Sequence, residues 1–468
     1  MAQQDVEAGE GPVRLLYRFN DDVASVAREG DRITLSIRGW KDLAFTAKAG
    51  SHADAVMALQ GEGCDLAALD RIAGGDAPGA ETADPARGAV RYYLERFARG
   101  RFLAWNVVDG DGLLMQVDSL ASRYQPRSDG PPDSRLTLSR FACLRHRDGL
   151  PVLDSGATPA RGRLTARGLQ ALARRLDAPA GIGDGLACAL WQIGFFEPAD
   201  LRESAARRTW TFHDLLMHEA SRSNRDVDPV GATYRFEGSF PPPPARKPAM
   251  SGQRIDLPAV AEAIVASGSD SLHAVQSRRI SGRTYAGAAL PLTRLAEFLW
   301  RVARVGSVVE DPRQDLMTRP YPAGGAINEL EFYVAANRCA DLEVAVHHYD
   351  SHDHALVRLD GSEQVAEKIS ARACAAMALA ADRVPPQAVI SIASRLPRLG
   401  WKYENMAYRA SLLHAGVVLE LMYLVATDMG LAACANGTGD SRLLEAATGI
   451  DPFEETAIAE FVLGLAAD

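Results

Sequence analysis

Four consecutive prolines, Pro241-Pro242-Pro243-Pro244, fall near the middle of the 468-residue chain. Proline fixes φ and lacks an amide N–H, so neither a helix interior nor a central strand can run through them. The run must be a stiff, extended segment. Residues 223–257 around it show no apolar periodicity, and the chain divides there. Length asks for two or three domains. The expected boundaries are 1–125, 126–222, a proline-rich linker at 223–256, and 257–468.

Charge and cysteine usage remove several classes. A net charge of -9 argues against a general nucleic-acid binder. Cys64, Cys143, Cys188, Cys339, Cys374 and Cys434 include no C-x-x-C pair, so no zinc knuckle or redox dithiol is signalled. They read as small buried hydrophobes in a reducing compartment. The start, Met1-Ala2-Gln3-Gln4-Asp5, is polar and unlike a signal peptide. The longest apolar run, 416–426, contains Glu420 and is shorter than the ~20 residues of a membrane span. The expectation is a cytoplasmic location, with no membrane, nucleic-acid or metal partner.

Residues 1–12 read as a disordered tail and 74–88 as a loop. Alternation at 13–19 and 33–37 predicts half-buried strands. Val90, Tyr93, Leu94 and Phe97 form one helical stripe. Asp109-Gly110-Asp111-Gly112 then signals a hairpin. A similar series recurs, with a hairpin at Asp148-Gly149 and helices marked by Leu169, Leu172 and Leu176 and by Leu186, Leu190 and Ile193. Helices with a hairpin suggest two winged-helix-like modules. The second candidate reading helix, 186–193, carries no basic residue, which disfavours DNA. Peptide binding and plain structural support remain. His213 and His218 are five apart rather than four and read as structural. His347, His348, His352 and His354 read as a polar hairpin surface rather than a metal site. Residues 404–429 predict one long, buried helix closed by Gly430.

Three short stretches carry chemistry. Arg278-Arg279-Ile280-Ser281-Gly282-Arg283 sets guanidiniums and a hydroxyl within six residues. That is enough to grip one phosphate, because the planar fork donates two hydrogen bonds to phosphate oxygens. Alone it reads as a solvated charge cluster. Arg319-Pro320-Tyr321-Pro322-Ala323-Gly324-Gly325-Ala326 has adjacent glycines that let backbone approach a ligand closely. Trp401-Lys402-Tyr403 opens the long helical stretch. In this order the three resemble the nitroreductase-like flavoproteins, and more closely the SagB-type dehydrogenases, the azoline oxidases of ribosomal peptide biosynthesis. The resemblance covers residues 255–468 well and the first half weakly.

The resemblance implies an α+β fold, a nitroreductase-like FMN domain with a mixed sheet covered by helices, preceded by the two winged-helix-like modules. It implies a domain-entwined homodimer with FMN at the interface. Arg279, Ser281 and Arg283 match the family's phosphate and ribityl motif, with Arg278 as an addition. Pro322, Ala323, Gly324 and Gly325 match the loop along the flavin ring. Leu431, Ala432 and Ala433 match the segment near flavin N5, where the family often has glycine at position 432. No basic residue follows Arg442, so more falls to the early arginines.

Lys402 and Tyr403 match the pair associated with azoline oxidation. An azoline becomes an azole by losing a proton from the carbon beside its carbonyl and a hydride from the neighbouring ring carbon. FMN takes the hydride, and a base must take the proton. Free Lys and Tyr titrate at about 10. Desolvation or a nearby charge can make such a pair supply one base, and the sequence leaves open which residue acts. The implied substrate is a heterocyclised precursor peptide whose leader the first half binds, with a cyclodehydratase as a further partner. The alternatives are a general NAD(P)H-dependent flavin or nitro reductase and a non-enzymatic leader-binding adaptor.

Overall fold

The computed structural model describes residues 12–74, 85–226 and 228–467. The expected tail and most of the 74–88 loop lie outside them. The chain forms two compact units, Met1–Pro229 and Val230–Asp468.

The first unit is built on a seven-stranded antiparallel sheet. Its order is Cys64–Asp65, Arg14–Phe19, Leu103–Asp109, Gly112–Ser119, Ala160–Leu164, Leu150–Ser155, Ala142–Arg147. Asp148 and Gly149 both take positive φ, as a tight two-residue hairpin turn requires. Gly112–Ser119 pairs with Ala160–Leu164, so the strands of both expected modules lie in one sheet over one core. Strand Ala160–Leu164 shows no apolar alternation, because Arg161 is buried. Its guanidinium is neutralised by Asp154 at 3.1 Å and Asp228 at 2.9 Å. In the helix Gly185–Ile193, the Asp184 side chain caps the Ala187 N–H and Gly194 closes the other end in the left-handed region.

The second unit centres on another seven-stranded sheet. Its order is Gln253–Asp256, Ala355–Arg358, Ala345–Asp350, Leu330–Ala336, Ala388–Ser394, Thr456–Leu465, Leu431–Asn436. A mixed sheet was expected, yet each neighbouring pair of these strands runs antiparallel. The hairpin and the helical connections return the chain in alternating directions. The parallel pairing among the described residues is the isolated Leu290–Cys339 bridge.

Side chains alternate across this sheet. Phe332, Val334 and Ile390 meet Phe298 and Leu299 of helix Leu292–Ala303 and Val418 and Met422 of helix Ala407–Asp428. Tyr333, Ala335 and Val389 face the other way, onto Ile369 of helix Glu363–Ala376 and Leu444 of helix Ser441–Thr448. Helices on both faces explain why Leu330–Ala336 is buried along its whole length.

The same layering corrects the reading of the histidines as a polar surface. Ala345–Asp350 is an interior strand, so His347 and His348 are both buried. His348 Nε2 lies 3.2 Å from Glu331. Burial pushes the Glu331 carboxyl up, but His348 with Arg319 and Arg395 outweighs it and holds the group well below its usual value. Among the described residues no group of three His, Cys, Asp or Glu is placed to hold a metal ion.

The expected single helix over 404–429 is present as Ala407–Asp428, but the Lys-Tyr pair does not open it. Leu396–Lys402 is a separate short helix, Asn405 takes positive φ, and the long helix begins at Ala407. Ala407–Asp428 is long and apolar enough by composition to cross a membrane, but here it packs Val418, Met422 and Val425 into the core. The proline run is laced onto the short helix. Arg398 Nη1 donates to the Pro243 carbonyl at 2.8 Å, Arg395 Nη2 to Pro244 at 3.0 Å, and Trp401 Nε1 to Phe240 at 2.9 Å.

Candidate functional site

The glycine loop and the Lys-Tyr pair converge. Residues Gly324–Ala326 form a single 3-10 turn, in which Gly325 has φ 59. A Cβ on Gly325 would lie 2.4 Å from Lys402 Nζ and 2.6 Å from Tyr403 Oη. The two polar tips are therefore no more than about 5 Å apart, and both point at the same turn. Lys402 Nζ donates to the Gly325 carbonyl at 3.4 Å.

A residue outside the expected set anchors this turn. The Gly324 N–H donates to His414 Nε2 at 2.7 Å. His414 Nδ1 sits 2.9 Å from the buried Glu329 carboxylate. With Nε2 accepting, Nδ1 carries the proton and donates to Glu329. The Glu329–His414–Gly324 chain thus fixes the turn's backbone. His414 lies on the buried side of an apolar helix, and the sequence shows it only as one polar residue within a helical stripe.

The arginine stretch makes a second cluster. Arg278 ends the helix Leu272–Arg278 and is ion-paired with Asp270. Among the described residues no carboxylate pairs with Arg279 or Arg283. The Arg279 guanidinium lies 5.2 Å from the Tyr423 ring centroid, and Ser281 Oγ is 3.0 Å from Tyr423 Oη. That hydroxyl also accepts from the Ala435 N–H at 2.7 Å. A Cβ on Gly282 would touch Ala432 and Ala433 at 3.4 Å, so the stretch lies against the start of strand Leu431–Asn436. Arg279, Ser281, Ala432 and Ala433 are brought together, with Tyr423 as the unforeseen link. Leu431 lies in the same strand.

The two clusters do not meet within one chain. His414 and Tyr423 are nine residues apart on the same helix. That separates them by about 14 Å along the axis and turns them to opposite sides. Among the described residues no hydrogen bond or ion pair joins the clusters.

Both clusters belong to the second unit, an α+β domain. Residues 276–464 match the profile of the Nitroreductase family, and this stretch is a nitroreductase-family domain. The trifolitoxin-processing protein TfxB of Rhizobium leguminosarum bv. trifolii is 29% identical over 150 residues, 31% of this chain and 39% of that protein. The chain thus spans about two fifths of TfxB. A provisionally named nitroreductase of Methanocaldococcus jannaschii is 29% identical over 166 residues, covering 36% of this chain and 78% of that one. Among solved structures, a chain of the E. coli microcin synthetase McbBCD complex with truncated pro-MccB17 is 17% identical. It covers 50% of this chain and 91% of that one, with a TM-score of 0.34.

Proposed function

We propose that this protein is an FMN-dependent azoline dehydrogenase, oxidising thiazoline or oxazoline rings to thiazole or oxazole in a ribosomally made precursor peptide. The carrying observation is the convergence of Lys402 Nζ and Tyr403 Oη on Gly325, in a space that a methyl group would fill. The likeness to TfxB, a trifolitoxin-processing protein by name, supports the substrate class.

The residues fit FMN. Arg279 and Arg283, lacking carboxylate partners among the described residues, would take the phosphate with Ser281, and Arg278 adds charge behind Asp270. Residues 322–325 and 431–433 would border the ring. When bound, FMN supplies a two-electron hydride acceptor. Lys402 and Tyr403 hold one proton-accepting position between them, and Glu329 and His414 keep the Gly324 amide oriented beside it. Exposed apolar residues on the long helix, Leu413 (56%) and Val417 (41%), together with Ile280 (71%), support a homodimer. A second copy is also what would bring the two clusters to one cofactor.

The first unit is assigned to leader recognition. Its sheet ends on strand Ala142–Arg147, an edge to which an extended peptide could add. A cyclodehydratase partner and a cytoplasmic location complete this reading. The family match and the M. jannaschii relative favour a second one, a general NAD(P)H-dependent reductase.

An absorbance spectrum of the purified protein tests the shared premise. The expected result is a yellow protein that releases FMN on denaturation. A colourless protein that takes up no added FMN would leave only the adaptor reading. Nitroaromatic turnover with NADPH, and none of an azoline peptide, would favour the general reductase.

A further inference from the structure

Lys402 has an aromatic neighbour from the segment that leads into the proline run. Its Nζ lies 5.7 Å from the Tyr234 ring centroid and 5.5 Å from that of Tyr403. The Gly325 carbonyl completes the surroundings at 3.4 Å. Ring faces are electron-rich, and two of them within about 6 Å attract an ammonium.

Tyr234 is held in place at some conformational expense. Its φ is 53, a region a bulky side chain rarely adopts. Such strain persists only where the surroundings over-determine it. Here they do. Gly231 and Ala232 pair in antiparallel register with Glu404 and Tyr403. The Tyr234 N–H donates to the Lys402 carbonyl at 3.2 Å. The ring meets Trp401 edge-on at 5.9 Å. The Arg313 guanidinium lies 4.5 Å from the ring centroid and is itself held by Glu237 at 3.2 Å.

We infer that Tyr234 is a positioning residue, whose ring fixes the Lys402 ammonium over Gly325 and beside the Tyr403 hydroxyl. The segment that the sequence presents as a linker therefore forms one wall of the Lys-Tyr site. Its chemistry is that of a cation clamp. A two-residue strand pair just before Tyr234, with a backbone hydrogen bond, an aromatic contact and a guanidinium over its ring, exceeds what tethering a linker requires. The functional consequence rests on the proposed role of Lys402, but the clamp itself can be measured without turnover.

The experiment is competitive acylation of the full-length protein by limiting acetic anhydride, read as the Lys402 rate relative to exposed Lys368 by peptide mass spectrometry. Tyr234→Gly removes the ring and suits the positive φ, so it relieves backbone strain instead of adding it. Tyr234→Phe keeps the ring. The expected result is a Lys402 rate raised about two- to fivefold in Tyr234→Gly and unchanged in Tyr234→Phe. Tyr234→Leu, which lacks a ring but keeps bulk, should follow the glycine variant. An unchanged Lys402 rate in Tyr234→Gly with an unaltered melting curve would overturn the inference. So would equal increases in the glycine and phenylalanine variants, which would assign the effect to the hydroxyl. In an azoline assay, Tyr234→Gly should lower kcat by up to about 100-fold with little change in KM, and Tyr234→Phe should restore it. Absence of azoline turnover in the wild type would defeat the functional proposal while leaving the acylation result to decide the clamp.

Discussion

Lys402→Ala and Tyr403→Phe should each lower azoline turnover by roughly 10²–10⁴-fold, the usual contribution of a positioned acid–base group, with bound FMN unchanged. The expectation follows from place. Both tips converge on the Gly325 turn, whereas the arginine cluster leaves the opposite side of the long helix. If the two act as one unit, the double variant is little worse than the more severe single one. Gly325→Ala makes the same point from the other side. The atoms nearest its Cβ would be the side-chain ends of Lys402 and Tyr403, which can move aside. The substitution should therefore damage activity more than stability, beyond the penalty of its positive φ. Loss of flavin or of melting temperature together with turnover would mark the pair as structural. The check is a rate measured on variants with known flavin content.

The second large effect is on cofactor retention. Arg279→Ala combined with Arg283→Ala should weaken FMN binding by roughly 10²–10⁴-fold. Each charge-assisted hydrogen bond is worth about 1.5–3 kcal/mol, and each 1.4 kcal/mol is tenfold in affinity. Arg278→Ala should do far less, because that side chain is exposed and already paired with Asp270. Flavin titration by fluorescence reads all three. Full occupancy in the double variant would remove the phosphate assignment.

Much of the second unit was legible because its chemistry is local. The glycine pair, the arginine stretch and Lys402-Tyr403 are short strings; helix Leu292–Ala303 announces itself by its apolar period, and strand Leu330–Ala336 by the unbroken apolar run at 332–336. Their convergence was not legible, since residue order says nothing of which tips meet at Gly325. His414 and Glu329 were missed because a buried hydrogen-bonded pair is two ordinary residues in sequence, 85 positions apart. Tyr234 was missed because its segment has no periodicity, and its position depends on pairing with Tyr403. Arg161 hid a strand for the same reason, its burial depending on Asp154 and Asp228. His347 and His348 were misread because adjacent strand residues face opposite ways. That implies one exposed side only when a sheet has one, and here helices cover both.

The most direct test of the central claim is mass spectrometry of an azoline-containing precursor peptide after incubation with the full-length, FMN-loaded protein. Each azoline ring is expected to lose the mass of two hydrogen atoms, and Lys402→Ala with full FMN to leave the mass unchanged on the same timescale. An unchanged peptide mass with the wild-type protein, while the same preparation reduces a nitroaromatic with NADPH, would contradict the claim.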